Sequence, residues 1–128
     1  MNDQELIALA AQARELAYAP YSHYAVGAAL LSKRGRVYTG CNVENAVYPL
    51  CICAERTAVV KAVSEGEREF EAIAVVTSNG GTPCGSCRQV LAEFGLEMRV
   101  LIATPEGLIS ETTVDELLPG AFGAQNLA

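Results

Sequence analysis

The chain has 128 residues, of which 51% are hydrophobic, so it holds enough apolar material for the core of one domain. Nine lysines and arginines against 15 aspartates and glutamates give a net charge of −6, which excludes a general attraction for nucleic acids or anionic membranes. We therefore expect a single domain over residues 1–128 that acts on a small, neutral molecule.

The predicted elements, in chain order, are a helix over 3–17, strands over 25–32 and 36–43, a helix over 52–65, a strand over 72–77, a helix over 85–94, strands over 98–103 and 108–112, and a short helix over 114–118. The run at 72–77 is apolar throughout, as expected of a strand that is covered on both faces. Helices and strands alternate in the middle of the chain. This order predicts an α/β layered domain with parallel central strands.

The cellular compartment is indicated by the cysteines and by the start of the sequence. The first residues, Met1 to Glu5, are acidic and do not resemble a secretory signal. No apolar run approaches the length of a membrane span. Five cysteines are an odd number, which argues against a disulfide framework. We expect a cytoplasmic protein with reduced thiols.

Three cysteines, Cys53, Cys84 and Cys87, fall at or near the starts of predicted helices. The partial positive charge of a helix N-terminus favours the thiolate, which is the form that binds metal. Cys84 and Cys87 form a Cys-x-x-Cys pair on one side of a helix, and Cys87 lies on its apolar stripe. Three inward thiolates without a fourth protein ligand suggest a catalytic zinc with an open position. The alternative is that these are ordinary buried cysteines.

Glu55 distinguishes between these alternatives. It lies two residues after Cys53 and in line with the apolar Ala58, Val59 and Ala62. A glutamate that only interacts with the helix dipole should point outward, whereas an inward carboxylate beside a metal ligand is a candidate proton shuttle. Cys-x-Glu followed by Pro-Cys-x-x-Cys matches the signature of zinc deaminases, with cysteine in place of the first histidine.

The remaining histidine and cysteines are expected to have minor roles. His23 is the only histidine, which excludes a three-histidine metal site within one chain. We expect His23 in a turn or at the surface, and Cys41 and Cys51 in packing positions. Cys51 could compete with Cys53, but no glutamate follows it two residues later.

Further motifs extend this pattern over nearly the whole chain. They are Pro20-Tyr21-Ser22, Val26–Leu30, Thr39–Ala46, Cys53–Ala58, Pro83–Gln89, and Leu117-Leu118-Pro119 with Phe122. With these motifs in this order, the chain resembles the small, homotetrameric cytidine deaminases. The resemblance implies a three-layer cytidine deaminase-like fold, in which a mixed five-stranded sheet carries helices on both faces. It also implies zinc-dependent hydrolytic deamination of cytidine and deoxycytidine to uridine and deoxyuridine in pyrimidine salvage.

The resemblance implies roles for individual residues. Cys53, Cys84 and Cys87 would hold one zinc ion per chain, and Glu55 would be the general acid and base. The implied substrate contacts are Asn42 and Glu44 to the ribose, Asn45, Ala46 and Tyr48 along the pocket, Tyr24 and the Ala54 backbone at the pyrimidine, and Phe122 from a neighbouring subunit. The active sites would thus be shared within the homotetramer. Tyr24 stands where the family usually has phenylalanine.

Electrostatics bear on the metal and on the substrate. Three thiolates leave a zinc site negative, which weakens its Lewis acidity. Arg56 could offset this by hydrogen-bonding the sulfurs, or it could form a surface ion pair. A carboxylate at Glu44 that accepts a sugar hydroxyl would reject molecules that lack one. We expect nucleosides rather than nucleotides, because the sequence offers no basic clamp.

Four other interpretations stay open at this point. A related zinc deaminase could act on another heterocycle such as blasticidin S, although Asn42 to Asn45 favour a riboside. A nucleic-acid-editing deaminase is disfavoured by the acidic balance. A non-catalytic zinc module would need Cys51 as a fourth ligand. A dithiol redox protein using Cys84 and Cys87 would leave Glu55 unexplained.

Overall fold

The computed structural model describes residues 1–128 and consists of one five-stranded sheet with helices on both faces. The elements are α1 (Asp3–Arg14), β1 (Gly27–Ser32), β2 (Val37–Cys41), α2 (Ala54–Ser64), β3 (Phe70–Val76), α3 (Gly85–Glu93), β4 (Arg99–Thr104), β5 (Gly107–Thr113) and α4 (Val114–Leu117). Short 3₁₀ turns cover Tyr48–Leu50 and Ala124–Leu127. No helix combines the length and the apolarity needed to span a membrane.

The strands are ordered β2-β1-β3-β4-β5, and the sheet is mixed. β3 and β4 are parallel, whereas the other three pairs are antiparallel. The prediction of parallel central strands is therefore correct for one pair. The expectation of a three-layer α/β fold with a mixed five-stranded sheet is confirmed.

Two apolar cores lie on opposite faces of this sheet. Alternate residues of β3 face opposite ways, so Ile73 belongs to the core with α2, α3 and α4, whereas Ala74 belongs to the core with α1. Both residues are fully buried. This double coverage explains why the sequence at β3 is apolar throughout rather than alternating.

Helix α1 ends three residues earlier than the periodicity predicts. The amides of Glu15, Leu16 and Ala17 each donate to the carbonyl three residues before them, which tightens the last turn. The start of α1 follows the expected cap, since the Asn2 side chain accepts from the Glu5 amide at 2.8 Å.

Gly40 allows α2 to pack directly on β2. A Cβ atom at this position would lie 2.6 Å from the carbonyl oxygen of Ala54 and 2.6 Å from the amide of Ala58. Any side chain here would therefore push the helix away. The close approach fixes the N-terminal turn of α2 over the sheet.

One edge of the sheet collects the segments that form the site. Gly27 pairs with both Cys41 and Val76, so β1 begins where β2 and β3 end. Three segments meet the sheet here: residues 21–26 lead into β1, residues 42–46 follow β2, and residues 77–84 follow β3. The carboxyl ends of strands in open α/β sheets are the common place for ligand sites.

Candidate active site and metal centre

The three predicted metal ligands meet at the N-termini of α2 and α3. Cys53 is the N-cap of α2, Cys84 is the N-cap of α3, and Cys87 lies in the first turn of α3. Their sulfur atoms all lie within 4.8 Å of one another, and Cys53 Sγ is 3.8 Å from Cys84 Sγ. Cys87 is buried, and Cys84 is exposed. Residues that are 34 positions apart in sequence thus form one cluster.

The thiols of this cluster influence each other's protonation. Hydrogen bonding from Cys87 lowers the pKa of Cys53 to about 5 despite partial burial, and Arg56 and Cys84 add to this lowering. The pKa of Cys87 is raised by its hydrogen bond to Cys53, by burial and by the neighbouring negative charges. The three sulfurs are therefore not all ionised without a cation between them. Three soft thiolates at this spacing fit zinc.

Cys51 does not join the cluster. Its thiol accepts a hydrogen bond from the Asn45 amide at 3.3 Å. The group of potential ligands contains Cys53, Cys84 and Cys87 and no fourth His, Cys, Asp or Glu. Structural zinc sites are usually closed by four protein ligands, whereas catalytic sites keep one position for water or substrate. The donor set thus fits a catalytic zinc.

Arg56 contacts a sulfur atom and forms no ion pair with an acidic side chain. Its Nη2 atom donates to Cys53 Sγ at 3.4 Å, and its Nε atom is buried without a partner. Of the two roles open for Arg56, the geometry favours hydrogen bonding to the metal ligands. An N–H donor at a thiolate withdraws negative charge from it.

Glu55 faces the interior of the protein. It lies in the first turn of α2 and is only 4% exposed. Burial and, to a smaller extent, the charge of Cys53 raise the pKa of Glu55 to about 7, against the lowering effects of a backbone hydrogen bond and of Arg56. A carboxyl group that changes protonation near neutral pH is suited to general acid and base chemistry.

A cavity of about 240 Å³ opens above this cluster. Cys53, Cys84 and Glu55 line one part of it, and Tyr24, Asn42 and Glu44 line another. The backbone-contact candidate Ala54 also lines the cavity. Seven of the sequence-predicted site residues are thus brought together around one space.

Asn42 and Glu44 hold the neighbouring segment 21–26. Asn42 Oδ1 accepts from the Val26 amide at 2.9 Å, and its Nδ2 donates to the Tyr24 carbonyl at 2.8 Å. Glu44 accepts from the amides of Tyr21 and Ser22 at 2.9 and 3.1 Å, and also from the Ser22 hydroxyl. The hydrogen bond from that hydroxyl is the main cause of a lowered Glu44 pKa. His23, in the same segment, is exposed in a turn with φ of 58°.

The other predicted substrate contacts lie outside this cavity. Tyr48 lines an adjoining depression, which it shares with Tyr21 and Glu44. Asn45 and Ala46 are exposed in the loop before Tyr48. Phe122 is 57% exposed near the C-terminus, and its carbonyl accepts from Gln89 Nε2 at 2.9 Å. Within one chain, Phe122 does not line the cavity.

Three polar residues of the cavity wall were not among the predicted site residues, namely Ser22, Thr77 and Thr82. Ser22 is bound by Glu44, and Thr77 is 2% exposed at the end of β3. Thr77 carries a usable signal, since it is a polar residue at the carboxyl end of an apolar strand. Ser22 belongs to the Pro20-Tyr21-Ser22 motif, but its contact with Glu44 depends on the conformation of the loop and could not be predicted.

Three thiols that fit one zinc ion, with a buried carboxylate beside them at the edge of an α/β sheet, are the arrangement of the zinc deaminases. The chain belongs to the cytidine and deoxycytidylate deaminase family, since residues 1–104 match the model described as the cytidine and deoxycytidylate deaminase zinc-binding region. Zinc is accordingly its metal cofactor.

Whole-chain comparisons agree with this membership. The chain is 53% identical to the cytidine deaminase of Sporosarcina psychrophila, over all of this chain and 96% of the relative. It is 55% identical to the cytidine deaminase of Halalkalibacterium halodurans, over 99% and 98% of the two chains. The crystal structure of cytidine deaminase from Burkholderia pseudomallei superposes with a TM-score of 0.91 at 50% identity, over 95% of this chain and 100% of that one.

Proposed function

We propose that the protein removes the amino group of cytidine by hydrolysis and releases uridine and ammonia. The observation that carries this proposal is the buried Glu55 carboxylate, which lines the same cavity as two cysteines of the metal cluster. The full-length relatives named cytidine deaminases, at 53% and 55% identity, support the choice of substrate. Deoxycytidine is proposed as a second substrate.

The chemistry divides between the metal and Glu55. Zinc held by Cys53, Cys84 and Cys87 supplies a Lewis acid that lowers the pKa of water and makes a nucleophile at neutral pH. A Glu55 carboxylate oxygen accepts the proton of the attacking water and passes it to ring N3. Glu55 then accepts the second proton of that water, from the new hydroxyl on C4, and donates it to the amine, which leaves C4 as ammonia. Burial keeps bulk water from exchanging this proton.

Arg56 is proposed to tune the metal centre. Three thiolates concentrate negative charge around the ion and weaken its attraction for electrons. The hydrogen bond from Arg56 to Cys53 draws part of this charge away. Arg56 is therefore proposed to raise the Lewis acidity of the centre without contacting the substrate.

Asn42 and Glu44 are proposed to bind the ribose. Each can still form further hydrogen bonds. The Asn42 amide offers two N–H groups and two acceptor sites, and the Glu44 carboxylate has about four acceptor sites. Their existing bonds to segment 21–26 fix their orientation before substrate arrives. No lysine or arginine lines the cavity, which supports a nucleoside rather than a nucleotide.

The remaining contacts are proposed to depend on assembly. We propose a homotetramer in which Phe122 of one subunit closes the site of its neighbour, and in which Asn45, Ala46 and Tyr48 complete the pocket beside Tyr24 and Ala54. Apolar side chains exposed on one chain support an assembly, among them Tyr48 at 68%, Leu50 at 64% and Phe122 at 57%. Each chain would act as one domain over residues 1–128.

The cellular setting is proposed from the chemistry of the chain. A thiolate zinc site and five free cysteines suit a reducing cytoplasm. The nucleoside product suits pyrimidine salvage. The net charge of −6 supports a protein that binds neither nucleic acid nor membrane.

The decisive experiment is an absorbance time course with cytidine, with the zinc content measured on the same dialysed sample. We expect conversion to uridine with about one zinc per chain, the stoichiometry of a single catalytic site. Cytidine monophosphate should be a much poorer substrate. Zinc-loaded protein that leaves cytidine unchanged but deaminates blasticidin S would replace this proposal with the other heterocycle.

A further inference from the structure

Two walls of the cavity come from different parts of the chain and meet at one tyrosine hydroxyl. The first wall is segment 21–26, which we call the strap, and it contributes Ser22, Tyr24 and Val26. The second is segment 77–84, which we call the Cys84 loop, and it contributes Thr77 and Gly81 among others. The strap carries Tyr24, which is proposed to contact the pyrimidine, and the Cys84 loop ends at a metal ligand.

The Tyr24 hydroxyl donates to Asn79 Oδ1 at 2.7 Å and so joins the strap to the Cys84 loop. Asn79 Oδ1 also accepts a hydrogen bond from the Thr77 hydroxyl at 3.4 Å. The Thr77 oxygen in turn accepts from the Gly81 amide at 2.9 Å. One continuous set of hydrogen bonds therefore runs from a ring in the cavity wall to the backbone of the opposite wall.

Close packing accompanies these hydrogen bonds. A Cβ atom at Gly81 would lie 2.6 Å from the Tyr24 hydroxyl oxygen, so only glycine lets the loop approach this closely. Thr77 is 2% exposed, and its hydroxyl is satisfied within the network. The Cys84 loop is thus fitted to the tyrosine hydroxyl rather than merely lying near it.

The strap is held from its other side by separate contacts. Asn42 bonds the Tyr24 carbonyl and the Val26 amide, and Glu44 bonds the backbone at Tyr21 and Ser22. Arg88 holds the last part of the Cys84 loop, through Thr82 Oγ1 at 3.0 Å and the Pro83 carbonyl at 2.8 Å. The Tyr24 hydroxyl connects these two anchored groups through Asn79.

We propose that Tyr24 is a positioning residue, whose hydroxyl acts through Asn79 to fix the cavity wall at Gly81 and so set the affinity for the nucleoside. This inference rests on the proposed function, since it assigns a role within that same site. Loss of the hydroxyl leaves the aromatic ring in the wall but releases the loop opposite it. Glu55 and Cys87 lie on α2 and α3, Cys53 and Cys84 cap these helices, and Arg88 separately holds the loop next to Cys84, so the chemical step keeps its geometry.

The test is a double-mutant cycle with Tyr24→Phe and Asn79→Ala, measured as kcat and KM for cytidine. Each single variant should raise KM about three- to ten-fold, the range of one net hydrogen bond, while kcat stays near that of the parent. The double variant should match the single variants, because both remove the same bond. Asn79→Asp keeps the acceptor oxygen and should restore the parental KM.

Tyr18→Phe is the matched control, because its hydroxyl is absent from the hydrogen-bond network and the residue is 55% exposed. It should leave KM unchanged. A parental KM in Tyr24→Phe, or losses that add in the double variant, would overturn the positioning role. A KM in Asn79→Asp that is raised as much as in Asn79→Ala would also overturn the positioning role.

Hydrogen exchange at the Gly81 amide separates this inference from the proposed function. Exchange should be several-fold faster in Tyr24→Phe and Asn79→Ala than in the parent and in Tyr18→Phe. Parental exchange in both variants would disprove the connection between the walls. If the parent fails to deaminate cytidine, the proposed function fails, and the exchange rates still decide whether the connection exists.

Discussion

Ser22 donates two hydrogen bonds to the Glu44 carboxylate, one from its backbone amide and one from its side-chain hydroxyl. The amide lies 3.1 Å from Oε1, and the hydroxyl donates to Oε2. Both carboxylate oxygens are thereby oriented in the absence of substrate, and the charge is stabilised, since these bonds lower the Glu44 pKa. A preoriented acceptor loses less entropy when a ribose hydroxyl binds to it.

Glu44→Gln should raise KM for cytidine about ten-fold or more, because a charged acceptor is replaced by a group with fewer lone pairs at one end. Free cytosine lacks the ribose, so we expect it to turn over slowly in the parent and at the same rate in this variant. Ser22→Ala, which keeps the carboxylate but frees one oxygen, should cause a smaller rise in KM. Steady-state kinetics with both substrates decide the matter. An equal loss with cytosine would show that Glu44 only supports the fold.

Glu55→Gln should bind zinc as the parent does and lose about 10²–10⁴-fold in kcat, the usual contribution of a general acid and base. Glutamine has nearly the same shape but cannot exchange the proton. Metal analysis and the absorbance assay on one sample give both values. Glu65→Gln, at the exposed C-terminal end of the same helix, is the matched control and should retain activity. Activity retained in Glu55→Gln would remove Glu55 from the mechanism.

Cys84→Ser should lose zinc during dialysis, whereas Cys51→Ser should retain it. The first change removes one of three thiolates from the cluster, and the second removes a thiol that bonds only to Asn45. Chelation of the parent should abolish turnover and lower Tm, since a metal that binds only the folded state stabilises it. Zinc content and thermal melts measure these effects. Loss of zinc in Cys51→Ser would indicate a closed, four-ligand structural site.

The positions of the metal ligands could be predicted because they depend on local structure. Cys53, Cys84 and Cys87 all lie at helix N-termini, and helix starts follow from hydrophobic periodicity and spacing. The contact between Tyr24 and Asn79 joins residues 55 positions apart in two irregular loops. No periodicity describes such loops, so this contact could not be predicted. The same reason explains why Ser22 was missed.

Glu67 should make stability depend on pH. Burial raises its pKa, but hydrogen bonds from Ser32, Tyr38 and Arg34 outweigh that effect, and the pKa is lowered overall. A lowered folded-state pKa stabilises the protein above the unfolded value near 4.5, and this stabilisation is lost as pH falls through the folded value. Glu67→Gln should therefore be less stable than the parent at pH 7.

The difference between Glu67→Gln and the parent should shrink as the pH falls below 4.5, the ordinary pKa of this glutamate. Free energies of unfolding from urea titrations at pH 7 and at acidic pH measure it. Comparing parent and variant at each pH cancels the loss of zinc in acid. Glu69→Gln, an exposed neighbour, controls for the loss of one negative charge. A difference that is constant with pH would show that the charge of Glu67 is unimportant.

Phe122→Ala should reduce kcat/KM strongly while the chain keeps its fold. Phe122 is 57% exposed and lies outside the cavity of its own chain, so truncating it removes little buried surface. If it closes the site of a neighbouring subunit, the loss appears only in the assembled enzyme. Circular dichroism and sedimentation would show whether fold and assembly are retained.

Mixed oligomers test whether Phe122 acts across a subunit boundary. Phe122→Ala keeps Glu55, and Glu55→Gln keeps Phe122, so each variant lacks one part of the proposed shared site. Hybrid oligomers that contain both chains should regain activity, because some sites then combine an intact Glu55 with an intact Phe122 from the neighbour. Hybrids with no more activity than the two separate variants would place Phe122 in the site of its own chain or outside the mechanism.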